Sequence, residues 1–134
     1  MRRVPLKSLD YDERTGHSVV EGEPFTGVAE VIKNGVVTCE VEYREGLRWG
    51  ATREWYLTGQ PMVESSLWRD ALHGRAREWH RNGQLAEDGE YAYGIALWAK
   101  AWDENGTLIK DFALPPGDPG FERIEEHRRR YDEP

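Results

Sequence analysis

From residue 25 to residue 114, apolar and polar side chains alternate in runs of strand length, and glycines break the runs at regular intervals. Alternation with a period of two sends one set of side chains to a buried face and the other to a wet one, the mark of a half-buried strand. Gly35, Gly59, Gly83 and Gly106 are spaced by 24, 24 and 23 residues and follow Asn34, Thr58, Asn82 and Asn105. Asn-Gly tolerates the positive φ that both central residues of a type I′ turn require, so each repeat is predicted to be one hairpin closed by a two-residue loop. A second punctuation at Gly46, Asp70 and Gly94, followed by Gly50, Gly74 and, out of pattern, Trp98, joins one hairpin to the next.

Aligning the repeats on the turn glycine exposes columns. Four residues before it stand Val31, Trp55, Trp79 and Trp102; two after it stand Val37, Pro61, Leu85 and Leu108; eight after it stand Tyr43, Leu67, Tyr91 and Leu114. These are the packing columns. The position six before the glycine (Ala29, Arg53, Arg77, Lys100) should face the position five after it (Glu40, Glu64, Asp88, Asp111). Arg53, Arg77 and Lys100 would then lie opposite Glu64, Asp88 and Asp111, and each such pair stabilises the ladder by a few tenths to about 1 kcal/mol. Pro61 cannot donate to a ladder, so the second hairpin is expected to be bulged or exposed at its edge.

The ends do not repeat. Residues 1–24 read as an N-terminal capping hairpin, with Leu9 and Tyr11 on one strand, a turn near Thr15-Gly16, and Val19-Val20 on the return. Residues 25–114 make the four hairpins. Residues 115–134 are a Pro/Gly linker and a short helix, with Asp118 as N-cap and Pro119 in the first turn. Phe121, Ile124, His127 or Arg128, and Tyr131 recur at helical spacing, a face that should cover the edge of the last hairpin. The expected architecture is a single domain, all-β, of tandem hairpins forming one elongated, twisted antiparallel sheet with a C-terminal capping helix.

Composition narrows the chemistry. The net charge of −7 opposes nucleic acid, whose binders need Lys and Arg to displace counterions, and makes a basic protein the natural partner. It also argues against an anionic membrane. No apolar stretch suggests a leader or a membrane span, so the protein is expected in the cytoplasm. Cys39 is the one cysteine and cannot form an internal disulfide or a cysteine zinc cage. His17, His73, His80 and His127 are scattered without metal-ligand spacing, so no metal, cofactor or small-molecule substrate is expected. No Ser-His-Asp order, phosphate loop or nucleophile elbow is present, and a repeated Glu column cannot readily place two carboxylates in the unlike environments that separate an acid from a base. Catalysis is not expected.

Phe25-Thr26-Gly27, Asn34-Gly35 with Glu40, Glu42 and Tyr43, Gly46 and Gly50, then Arg77-Glu78-Trp79, Asn82-Gly83-Gln84-Leu85, Glu90-Tyr91 and Gly94 resemble the MORN-type repeats of bacterial YwqK-family antitoxins. The likeness runs from about Tyr11 to Leu114. It implies an immunity protein that neutralises a cognate toxin, nuclease- or deaminase-like, by direct binding. MORN-like repeats also occur in scaffolds and in modules that touch lipid headgroups, which is the alternative function.

One column is left without a basic counterpart. Glu30, Glu54 and Glu78, five before the turn glycine, face Cys39, Val63 and Glu87, and beside them run Tyr56 and His80. Such a surface would steer a basic protein toward it, with ordinary solubilising charge as the alternative. Trp55 and Trp79 join the candidate interface because Trp is enriched at binding hot spots, although a Trp column also suits packing.

Overall fold

A computed structural model describes residues 1–131; positions 132–134 of the expected C-terminal segment lie outside the described residues. The chain opens with β1 (Arg3–Pro5), a single 3-10 turn (Leu6–Ser8) and three short strands, β2 (Asp10–Asp12), β3 (His17–Val20) and β4 (Glu23–Pro24). Four hairpins follow: β5 (Gly27–Lys33) with β6 (Val36–Arg44), β7 (Leu47–Trp55) with β8 (Pro61–Trp68), β9 (Ala71–Trp79) with β10 (Leu85–Ala92), and β11 (Ile95–Trp102) with β12 (Leu108–Ala113). The chain then turns into α1 (Pro119–Tyr131).

Strands β5 to β12 pair in sequence order, each antiparallel to the next. The expected hairpin array is therefore present, and its three charge pairs sit in the expected register: Arg53 opposite Glu64, Arg77 opposite Asp88, Lys100 opposite Asp111. The sheet gains a ninth strand that the alternation did not reveal. β1 lies parallel to β5, which makes the sheet mixed. β2, β3 and β4 form a separate small sheet where one capping hairpin was expected.

The turns correct the expectation of a two-residue loop in every repeat. Asn34-Gly35 has positive φ at both residues, but Asn82, Asn105 and Thr58 do not. In those three repeats only the glycine is left-handed, and the loop is longer. The Gly83 N–H donates to the His80 carbonyl (2.9 Å) while the His80 N–H donates to the Gln84 carbonyl (2.9 Å), and the same pair of bonds closes Tyr56 to Gln60 and Asp103 to Thr107. The paired positive φ of a type I′ turn belongs instead to the links between hairpins, Glu45-Gly46, Arg69-Asp70 and Tyr93-Gly94.

Each return strand also carries one extra residue, Thr38, Met62, Ala86 or Ile109, as a bulge. In the last three hairpins the longer loop and the bulge cancel, so the expected register holds. In the first hairpin the bulge stands alone. There Ala29 faces Val41 rather than Glu40, and Glu30 faces Glu40 rather than Cys39. A one-residue slip exchanges the faces of a strand.

Hydrogen bonds between neighbouring repeats recur at both ends of the strands. The N–H of Gly46, Asp70 and Gly94 donates to the carbonyl of Phe25, Arg48 and Leu72, at 2.7–2.9 Å. Phe25 is almost fully buried and packs on Tyr43, so the Phe25-Thr26-Gly27 lead-in closes the first end of the array.

At the other end Asp118 caps α1, its carboxylate accepting the Gly120 N–H at 2.7 Å. Ile124 (4% exposed) docks on Ala92 and Tyr93, with Trp68, Ile95, Leu97 and Leu114 around them. Trp68 meets Trp49, Tyr93 and Tyr131 edge-on at 4.9–5.7 Å, and His127 stacks between Tyr93 and Tyr131. The helix thus covers the sheet behind β10 and β11. It does not cover the edge of β12, whose six residues are all exposed, and Phe121 stays outside the core. The apolar stripe finds deeper burial against an aromatic cluster than an edge strand offers.

Candidate protein interaction surface

Directly opposed residues in adjacent strands share a face, so the pairing registers sort the two sides of the sheet. One row runs Glu30, Glu40, Arg53, Glu64, Arg77, Asp88, Lys100, Asp111 across β5 to β12. From Glu40 onward the sign alternates at every strand. Arg3, from β1, closes the row by bonding both Glu30 (2.6 Å) and Glu40. Asp88 is held by Arg75 at 2.6 Å and approached by Arg77 at 3.6 Å, and the guanidinium of Arg75 keeps its carboxyl below the usual aspartate range. This ladder face neutralises itself.

The opposite face does not. Its matching row is Val31, Cys39, Glu54, Val63, Glu78, Glu87, Ala101, Lys110. Glu78 and Glu87 are direct cross-strand neighbours and Glu54 is two strands over. The Glu78 carboxyl is pushed up to about 7, first because it shares a hydrogen bond with Glu87, then through burial and the repulsion of Glu87 and Glu54. Between them lies an open groove of about 560 Å³, rimmed by Tyr56, Met62, His80 and Ile109 and floored by Val63 and Ala101. The adjacent row is small or apolar, Val41, Thr52, Ser65, Ala76, Gly89 and Ala99, which keeps the surface shallow.

Of the seven residues singled out from the sequence, the structure gathers Glu54, Glu78, Tyr56, Trp79 and His80 around this groove. Glu30 is removed from it. The slipped first hairpin turns it to the ladder face, where Arg3 pairs it, so the three-membered unpaired column does not exist. Trp55 and Trp79 follow Glu54 and Glu78 in their strands and pair with Pro61 and Leu85; Trp79 borders the groove, and Trp55 lines a neighbouring hollow with Cys39, Glu54 and Tyr56. Tyr56 and His80 carry a structural duty as well. The Tyr56 hydroxyl donates to the Trp79 carbonyl (2.7 Å) and His80 Nε2 to the Trp102 carbonyl (2.8 Å), each reaching into the next repeat. Their ring faces, rather than their polar atoms, remain for a partner, and Arg81 lies 5.3 Å from the Tyr56 ring.

Glu87 stood opposite Glu78 in the sequence alignment but was not singled out. Met62 and Ile109 reach the rim because they are bulge residues, for which alternation gives no signal. Arg3 lay in a segment with no repeat to align it. Among the described residues no group of three or more His, Cys, Asp or Glu is arranged to hold a metal.

The hairpins stack in chain order, each closed by a glycine-containing turn, and residues 72–93, most of the third hairpin, match the family described as MORN repeat variant. The likeness extends beyond the repeats. The chain is 30% identical over 142 residues to immunity protein YwqK of Bacillus subtilis (strain 168), covering 98% of this chain and 92% of that protein, and it belongs to the family of that immunity protein. No solved structure matches it.

Proposed function

We propose that this protein is a cytoplasmic immunity protein that neutralises a cognate toxin by binding it, without catalysis, and that the Glu54–Glu78–Glu87 groove receives a basic surface of a nuclease- or deaminase-like toxin domain. The reading is carried by the near full-length similarity to an immunity protein. The groove supports its finer part, because Glu78 and Glu87 face one another across the strands there and Glu54 adds to the negative charge. A partner Lys or Arg placed there relieves that repulsion, and the field of the acidic face raises the rate of encounter. Tyr56 and His80 supply flat rings at the rim for packing against the stem of the cation.

Co-expression with the toxin domain encoded beside the gene tests the proposal. Wild-type protein should restore growth and co-purify in stoichiometric amount, and Glu54→Lys/Glu78→Lys should abolish both while keeping the melting temperature within a few degrees. Unrelieved toxicity with the wild-type protein would sink the immunity reading; rescue by the double variant would sink the groove. The MORN match also allows a scaffold or membrane-surface module. Flotation with anionic liposomes at low salt separates the two, because only the second binds lipid.

A further inference from the structure

The two edges of the nine-stranded sheet are treated differently. The first is blunted: β1 has three residues, ends in Pro5, and passes at once into a 3-10 turn. The last is left open. β12 is six residues long and wholly exposed, with Leu108 at 46%, Ile109 at 66% and Phe112 at 37%. The helix that follows it packs behind β10 and β11 instead of alongside it. A long edge with unpaired N–H and C=O groups and large apolar side chains is the geometry that takes up another strand.

The side chains state what that strand should carry. On the ladder face the sign alternates from Glu40 to Asp111, and Lys100 already lies inside Asp111, so the next position outward calls for a cation. On the other face Phe112 ends a row of small and apolar residues that begins with Val41 and reaches it through Ala99. An apolar side chain belongs opposite it. Self-pairing fits badly in the central registers, where a two-fold axis on Lys110 or Asp111 sets like charges directly opposite each other, and an axis on Phe112 leaves Asp111 opposite Ala113 without a cation.

We propose that the free edge of β12 is a docking site for an extended segment of a protein partner, which adds a tenth strand carrying a basic residue opposite Asp111 and an apolar one opposite Phe112. The site adjoins the carboxylate groove at Ile109, but Asp111 and Phe112 do not line that groove, and the proposal does not depend on the toxin reading.

Selection of a phage-displayed library of random dodecapeptides on the full-length protein tests it. Recovered peptides should share a Lys or Arg flanked by alternating β-branched or aromatic residues. A synthetic copy of the commonest one should slow amide hydrogen exchange across 108–113 at least tenfold. Asp111→Asn should weaken that peptide about threefold, in line with a single cross-strand ion pair, and Phe112→Glu should weaken it more. Glu54→Gln/Glu78→Gln should bind it unchanged, which keeps failure here distinct from failure of the groove. Each variant is checked for an unaltered melting temperature, and Phe112→Leu, which keeps the apolar contact, should restore binding if Phe112→Glu disturbs the fold. Protection elsewhere on the sheet, recovered peptides without a basic residue, no enrichment, or a concentration-dependent dimer that Phe112→Glu dissolves would each overturn the proposal.

Discussion

At Glu78 the fold holds a carboxyl that ionises near neutrality because its cross-strand neighbour is a second carboxyl. A carboxyl whose pKa is raised on folding is better protonated in the native state than in the unfolded one. Its contribution to stability is therefore fullest near the ordinary glutamate range and declines as pH rises toward about 7. Glu78→Gln should flatten the dependence of melting temperature on pH between 5 and 8 and raise the melting temperature at pH 8; an unchanged profile in a thermal titration would show that the two carboxylates do not interact. Asp88 is the converse. Arg75 lowers its pKa, so its stabilisation is present at neutral pH and is lost as pH falls through the ordinary aspartate range. Asp88→Asn should cost about 0.5–1.5 kcal/mol at pH 7, the range left to a hydrogen-bonded pair that solvent partly screens, and the gap to wild type should narrow in urea denaturation as pH falls below the ordinary aspartate range. The sequence placed Glu78 opposite Glu87 and Asp88 opposite Arg77, because those partners lie in the same hairpin; that Arg75 is the closer partner of Asp88 was not legible. Nor was the place of Glu30. Its surroundings depend on a slip elsewhere in its hairpin and on Arg3, which no repeat aligns with it.

Turns decide where the strands point. The glycine spacing located every hairpin, but Asn-Gly alone does not choose between a two-residue loop and a longer one: Asn34 adopts positive φ and Asn82 does not. At Asn82 the side chain instead accepts the Gln84 N–H at 2.9 Å, which holds the longer loop closed. Gly83→Ala, which forces a side chain into the left-handed region, should destabilise by about 1–2 kcal/mol, whereas Asn82→Ala should lose only the single bond; equal losses in chemical denaturation would mean that both residues sit in left-handed conformations. The capping helix was legible from Asp118-Pro119 and from its apolar stripe. Its docking place was not, because the aromatic residues that receive it are far apart in sequence: Trp68 ends β8 and Tyr93 lies in the link between β10 and β11.

Across the whole molecule the charges are divided by face: one side balances itself strand by strand, and the other concentrates carboxylates in a groove. A cation that enters between Glu78 and Glu87 displaces the proton they share. Binding of a basic toxin domain should therefore release protons and weaken as pH drops below about 7. Calorimetry of that domain in buffers of different ionisation enthalpy would register the release; heats independent of buffer would mean that the cation lands elsewhere. The same association should slow steeply as salt is added, since steering by surface charge is screened within about 8–10 Å at physiological ionic strength.

Period-two alternation, the glycine interval and the paired columns by themselves determined four antiparallel hairpins, the register of the last three, the charge ladder and the existence of the helix, all of which are local or nearest-neighbour properties of the chain. Tertiary structure alone decided the rest. It brought β1 back beside β5, turned Glu30 away from Glu54 and Glu78, set Met62 and Ile109 on the groove rim, and left the edge of β12 open while the helix took the aromatic cluster. The reason is common to these outcomes. Each depends on where a bulge or a distant segment settles, and that is a competition between burial sites far apart in sequence.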